Sequence, residues 1–282
     1  MAGGGKVLVE IWKIVFLTVC ALLGWYLLKH ASKNKGWMVY NYENKSIPYT
    51  FGILLLFLII LMDSLWISTP SAGLMFYLIF TWFAGWLDDR YGTPFPKGLK
   101  GHFTYFLTYG KWTTGLTKII LISAAALLGL LFSEVNGGLA AIAAFSVMVL
   151  SPHVCNLLDT RPLRVWSWGL LHLSIIAVVG YYKAPLSLVL AIIIIHMLWG
   201  YIEGNKRAML GDNGAAAAGG ILAWILVHTT STVFQFVMIF FYVLLTGTAE
   251  KVSLNTIFEK LRKVVVLGEW GNKEEAGTKV FK

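Results

Sequence analysis

The chain has 282 residues, of which 57% are hydrophobic, 15% aromatic and only 13% charged, about half the charge of an ordinary soluble domain. That composition excludes a water-soluble fold and leaves little sequence for a separate soluble domain. The formal charge of +9 does not point to nucleic acid, because no basic stripe is paired with a soluble module able to present it to a duplex. Anionic lipid headgroups and membrane topology account for it better.

A membrane span needs roughly 20 mainly apolar residues. In chain order, the apolar runs predict nine spans, at about 7–28, 49–68, 71–88, 113–133, 138–157, 165–182, 185–202, 213–229 and 231–248. The first lacks a small-residue cleavage site and reads as retained rather than as a removed signal. The expected fold is thus an all-α, polytopic transmembrane helix bundle, with residues 1–249 as the membrane domain. Residues 250–282 are expected to form a tail, whose first part, from Glu250 to Leu267, has the mixed apolar and basic pattern of an interfacial helix.

Orientation follows from Lys and Arg, because short basic loops stay in the cytoplasm. Lys29, Lys33, Lys35 and Lys45 follow span one, and Arg90, Lys97, Lys100 and Lys111 follow span three. Arg161 and Arg164 follow span five, Lys206 and Arg207 follow span seven, and the tail is basic. Lys183 alone occupies an opposite-side loop, and Lys6 sits at the amino terminus. The expected topology is N-terminus out and C-terminus cytoplasmic. Cys20 and Cys155 lie far apart in apolar context, so both are expected to be packing residues and not a disulfide or metal pair. No repeat of solenoid length occurs.

The aspartates carry the most information. Asp88 and Asp89, Asp159, and Asp212 all stand at cytoplasmic span ends. A carboxylate at the centre of a span costs roughly 2.5–3.5 kcal/mol and less near the interface, so such groups usually have partners. A hard divalent cation and neighbouring Lys or Arg are the expected ones. Mg²⁺ prefers carboxylate and carbonyl oxygens and retains water or substrate phosphate as further ligands. Each acid alone also reads as a solvated helix end. Lys118, in the first turns of span four, reads equally as a snorkelling side chain or a phosphate ligand. The loop from Asp88 to Lys111 contains Lys97-Gly98-Leu99-Lys100-Gly101-His102, whose glycines and cations suit an anion, although any cytoplasmic loop is basic. His172 and His196 read as packed or hydrogen-bonded, and Asp63 as an interfacial polar residue.

Four segments in order carry a family likeness: Ser46-Ile47-Pro48-Tyr49-Thr50-Phe51-Gly52, Gly85-Trp86-Leu87-Asp88-Asp89-Arg90, Asn156-Leu157-Leu158-Asp159 and Gly211-Asp212-Asn213-Gly214. Together they resemble the polyprenyl-phosphate N-acetylhexosamine-1-phosphate transferase superfamily, the membrane enzymes related to phospho-N-acetylmuramoyl-pentapeptide transferase. The likeness spans about residues 41–225. It implies transfer of a sugar-1-phosphate from a UDP-sugar to polyprenyl phosphate, with Mg²⁺ (Mn²⁺ as the alternative), in a bacterial cytoplasmic membrane with the active face cytoplasmic. It implies Asp212 as metal ligand, Asp88 and Asp89 engaging the lipid phosphate or assisting metal and nucleotide, and Asn156 and Asp159 positioning the diphosphate. Lys118 would bind phosphate, and Gly211 and Asn213 belong to the substrate-binding motif. The lipid phosphate would attack directly, with a carboxylate nucleophile as the other option.

This chain departs from the family's pattern in two places and is shorter than is usual there, so the resemblance implies a divergent, short branch. Thr160-Arg161-Pro162-Leu163-Arg164 stands where Gly-x-Asp-Gly is common, and no His-rich loop occurs near the C-terminus. Arg161 and Arg164 suit bidentate diphosphate contacts, and Lys100 and His102 are expected to contribute donors. Membrane lipids are expected partners, and a homodimer is the family expectation. Competing readings are a non-catalytic lipid-phosphate-binding protein or a transporter, the latter favouring ionisable groups at mid-membrane. A CDP-alcohol phosphatidyltransferase would need an acid array that the sequence lacks.

Overall fold

The computed structural model describes residues 2–251 except 42, 68–70, 94, 97, 182 and 183. Among the described residues ten helices account for most of the chain. In order they are α1 (Ala2–Lys35), α2 (Phe51–Trp66), α3 (Ala72–Tyr91), α4 (Gly98–Tyr109), α5 (Thr114–Leu131), α6 (Gly138–Leu158), α7 (Arg164–Val179), α8 (Leu186–Gly204), α9 (Gly211–Thr229) and α10 (Thr232–Lys251). A short antiparallel pair, β1 (Met38–Tyr40) and β2 (Ser46–Pro48), lies between α1 and α2 and aligns Val39 with Ile47. The all-helical expectation is met apart from this hairpin. The expected tail lies outside the described residues beyond Lys251.

A helix covers each of the nine predicted apolar runs. Among the described residues five segments are long and apolar enough to cross a membrane, namely Gly5–Lys35, Thr114–Leu131, Gly138–Leu158, Leu186–Gly204 and Thr232–Ala249, while α2 and α7 are shorter apolar helices. The remaining two fall short for chemical reasons. α3 ends in Asp88-Asp89-Arg90, and α9 begins Gly-Asp-Asn-Gly and continues through Ala and Gly.

That composition places α9 at the centre. Its residues from Gly211 to Gly220 are almost all buried, and it packs on α2, α3, α6 and α7. Small residues let helix backbones approach closely where lipid supplies no hydrophobic drive between helices. A Cβ on Gly219 would stand 2.5 Å from Pro152 Cα, and the Ser151 hydroxyl donates to the Gly219 carbonyl at 2.8 Å. Pro152 removes one backbone donor inside α6, and Gly219 accepts the close crossing there. On α3, Tyr77 is fully buried and donates to the Met148 carbonyl at 2.6 Å.

α1 is the opposite case. It buries Leu17, Ala21 and Leu28 against α2 and α8 and leaves Val15, Phe16, Val19, Leu22 and Leu23 exposed. An apolar surface of that extent is stable in lipid and not in water. One end of α1 is pinned by Glu10, which pairs with Lys13 at 2.8 Å and accepts from Trp66 of α2 and Ser187 of α8. Its other end is pinned by Ser32, bonded to Thr50 at 2.7 Å.

Three local expectations have clear outcomes. Cys20 and Cys155 are both free. His172 bonds Tyr242 at 2.7 Å and His196 bonds the Trp166 carbonyl at 3.1 Å. Asp63 accepts from the Ser71 backbone at 3.1 Å and so links the end of α2 to the start of α3.

The segment 88–111, read from sequence as a glycine-rich loop, contains α4. The apolar residues Phe95, Leu99, Phe103 and Leu107 recur every four positions, a helical interval. Gly98 and Gly110 bound the helix, and Gly110 ends it at φ +62.

Candidate active site

The four motif segments converge at one end of the bundle. Lys118, one turn into α5 and buried, reaches Asp212 of α9 at 2.6 Å and Asp88 of α3 at 3.2 Å. The carboxylates of Asp88 and Asp212 lie beside one another, with the Thr114 side chain close to Asp88. The ammonium therefore holds together two acids that would otherwise repel. α5 is set for this by Thr113, whose hydroxyl accepts from the Leu116 backbone as the N-cap.

Asp89 does something different from its neighbour. Its Oδ1 accepts from the Asp212 backbone at 2.9 Å, and its Oδ2 accepts from the Asn213 backbone at 2.9 Å and from Asn213 Nδ2 at 2.6 Å. It thus caps the N-terminus of α9, where unsatisfied amides and the helix dipole favour an anion. Asn213 is fully buried; its Nδ2 also donates to the Tyr49 carbonyl at 3.1 Å, and its Oδ1 accepts from Trp82 at 3.2 Å. Both residues, expected at the substrate, have protein partners that brace Asp212.

The glycines of these motifs set the spacing. A Cβ on Gly85 would meet the Asp212 carbonyl at 2.3 Å, and one on Gly52 would meet Asn213 Oδ1 at 2.2 Å and Gly214 Cα at 2.3 Å. Gly211 has φ +66 and leaves space for Tyr49 O and Asp89 Oδ2, which a Cβ would meet at 2.7 and 3.0 Å. The clash in Gly85→Ala involves backbone, so α9 must shift away from α3. We expect a loss of about 1–3 kcal/mol in detergent unfolding, together with loss of any activity that depends on Asp212. Gly247→Ala, where nothing lies within 4 Å, should change neither.

Asp159 ends α6 as its C-cap residue. Burial holds its carboxyl well above the usual carboxylate range, the charges of Glu203, Asp212 and Asp89 raise it further, and Lys118 opposes them. Because the folded state favours the protonated form, stability without divalent cation should fall as pH rises from the usual carboxylate range towards the raised value. Asp159→Asn should flatten that dependence in thermal unfolding scans. An unchanged slope would remove Asp159 as its source.

Glu203 was missed from sequence. It is buried near the end of α8 and accepts from Trp199 Nε1 at 2.6 Å. A carboxylate inside Trp199-Gly200-Tyr201-Ile202-Glu203, with a donor one turn earlier, was the available signal. One turn before Asp159, Asn156 Oδ1 is buried without a hydrogen-bond partner, and such an orphan acceptor calls for a donor.

The other expected residues are placed further along the same end. Arg161 and Arg164 flank the turn between α6 and α7, with Arg164 donating to the Thr160 hydroxyl. His102 bonds the Thr113 hydroxyl at 3.0 Å and its ring fills the space beside Gly115. Lys100 lines a groove between α4 and α5. The hairpin is tied in by Met209 N, which donates to the Pro48 carbonyl at 2.9 Å, and by the ion pair of Glu43 with Lys206.

Carboxylates outnumber the ammonium in this group, so a phosphate would be repelled unless cationic charge is added. Among the described residues no group of three or more His, Cys, Asp or Glu side chains is placed to hold a metal ion by itself. The paired Asp88 and Asp212 oxygens are nevertheless hard donors of the kind Mg²⁺ takes together with water and substrate phosphate. No protein-family model matches the chain, and no curated protein matches it.

Proposed function

We propose that the chain is a polytopic membrane enzyme that moves a sugar-1-phosphate from a UDP-sugar to polyprenyl phosphate, releasing UMP. The observation that carries this reading is the convergence of Asp88, Asp212 and Lys118 from three helices at one bundle end. Asp159, Glu203 and the orphaned Asn156 oxygen extend the same region. Transporters more naturally place such groups at mid-membrane on broken helices, so the position at helix ends favours chemistry on an interfacial lipid phosphate.

The nine helices over the apolar runs would all cross the bilayer, with the N-terminus outside and the acid cluster cytoplasmic. Asp212 and Asp88 would hold Mg²⁺, which would supply positive charge to the diphosphate. Lys118 would release part of its hold on these acids to the substrate phosphates. Asp89 and Asn213 would fix α9 so that Asp212 does not move during the reaction. Asn156 Oδ1 and Asp159 would accept from hydroxyl or amide donors of the nucleotide sugar. Arg161 and Arg164, beside them on the α6–α7 turn, would take the diphosphate. An oxygen of the lipid phosphate would attack the phosphorus bearing the sugar, and UMP would leave in line.

The test is incubation of purified protein with polyprenyl phosphate, Mg²⁺ and a panel of UDP-sugars, reading UMP. Lipid-dependent UMP release with one donor is the expected result. No release with any donor, in a preparation that remains folded, counts against catalysis and for a lipid-phosphate-binding protein.

A further inference from the structure

α4 has no buried residue, although it carries some of the most apolar side chains outside the spans. Leu99, Phe103 and Leu107 form a stripe at intervals of four; Phe103 is 56% and Leu107 69% exposed. Phe95, ahead of the helix, is not part of this stripe: its ring meets Tyr105 edge-on at 6.3 Å, on another side of α4. Lys100, Thr104 and Thr108 form the adjacent polar stripe. The inner side rests on the protein through His102, bonded to Thr113, and through Phe106, whose ring meets Trp112 edge-on at 5.5 Å.

The apolar stripe does not face an isolated patch. Between α4 and α5 runs a groove of about 690 Å³, lined by Phe103 and Phe106 on one side and Trp112, Leu116 and Ile120 on the other. Ile120 and Leu127 are exposed along α5, a segment long and apolar enough to cross a membrane. The groove therefore opens onto the lipid-facing side of a spanning helix. Lys100 lines it and Lys111 stands exposed just beyond α4, while Trp112 is 58% exposed between them and α5. Aromatic residues at the end of a span, an exposed apolar stripe and flanking lysines are what a helix lying in the headgroup boundary needs.

We propose that α4 is an in-plane membrane anchor. Its Leu99, Phe103 and Leu107 stripe enters the leaflet at the acid-cluster end, and Lys100 and Lys111 meet anionic phospholipid headgroups there. The occupant of the α4–α5 groove is then the acyl region of bilayer phospholipid. Because His102 joins α4 to the N-cap of α5, the anchor also sets the depth of the helix that carries Lys118. The inference rests on membrane insertion alone and is independent of any reaction.

The test places single spin labels at Phe103, Leu107, Thr104 and Thr108, in full-length protein carrying Cys20→Ser and Cys155→Ala. Samples are nanodiscs of phosphatidylcholine with or without phosphatidylglycerol. Labels at 103 and 107, and at 104, which lines the α4–α5 groove, should be relaxed several-fold more by oxygen than by a water-soluble nickel chelate, with the preference reversed at 108. Equal, water-like accessibility at all four sites overturns the anchor. A second readout keeps the native cysteines: the difference in fluorescence between wild type and Trp112→Phe should be quenched by lipids brominated near the headgroup. Phosphatidylglycerol should strengthen that quenching, and Lys100→Gln with Lys111→Gln should remove the gain; no dependence on anionic lipid in wild type overturns the headgroup contact.

Discussion

Lys118→Met should abolish turnover and cost about 3–5 kcal/mol, the range for removing one partner of a buried ion pair. The side chain is buried and its ammonium is shared by Asp88 and Asp212, so the substitution leaves two carboxylates facing each other without compensation. Lys118→Arg keeps the charge but must fit a planar fork where a compact ammonium now sits, and it should retain most of the stability with little of the activity. Unfolding midpoints in detergent and UMP release read the two effects separately. If Lys118→Met were as stable as wild type, the ammonium would not be what holds α3 and α9 together at this end.

Asp212→Asn should leave the protein folded and turnover undetectable. The amide oxygen still accepts from Lys118, and the contacts that secure α9 come from Asp89 to the backbone of residues 212 and 213, which the substitution leaves intact. What is lost is one negative charge and one hard oxygen ligand, so the expected signature is normal unfolding with loss of Mg²⁺-dependent activity. Wild-type turnover in this variant would remove the metal assignment. Asp89→Asn should behave in the reverse way. An amide placed against the Asn213 donors turns an acceptor into a donor, and the leading loss is then in stability, with any loss of activity following from the displaced α9.

This division of labour between adjacent aspartates was not legible in the sequence. Periodicity and composition disclosed the apolar helices, because each run long enough to bury itself in lipid leaves an unbroken hydrophobic string. They also placed Asp88, Asp159 and Asp212 at span ends expected on one side, the first two closing α3 and α6 and the third opening α9, and showed that Lys118 is out of place in an apolar run. They did not disclose partner identity, since Asp89 and Asp212 are far apart in the chain and meet only because Gly85 and Gly52 let α2, α3 and α9 touch.

Glu203 escaped because its helix is otherwise a strong apolar run and a single glutamate near a span end resembles a solvated cap. α4 escaped because its glycines and lysines suggested an anion-binding loop, whereas the four-residue spacing of Leu99, Phe103 and Leu107 is the stronger signal. The hairpin β1–β2 is too short for alternation to identify, and it is held by contacts such as Met209 to Pro48 that depend on the rest of the fold.

The proposed transfer of a sugar-1-phosphate to a lipid phosphate would take place at this carboxylate–lysine site. The most direct measurement follows a UDP-sugar labelled with ³²P in the phosphate bearing the sugar, incubated with polyprenyl phosphate and Mg²⁺ and then partitioned between organic solvent and water. The label should enter the organic phase with wild-type protein and stay in water with Asp212→Asn. Label that remains in water with wild-type protein for every donor, or that reaches lipid equally well with Asp212→Asn, would contradict the proposal.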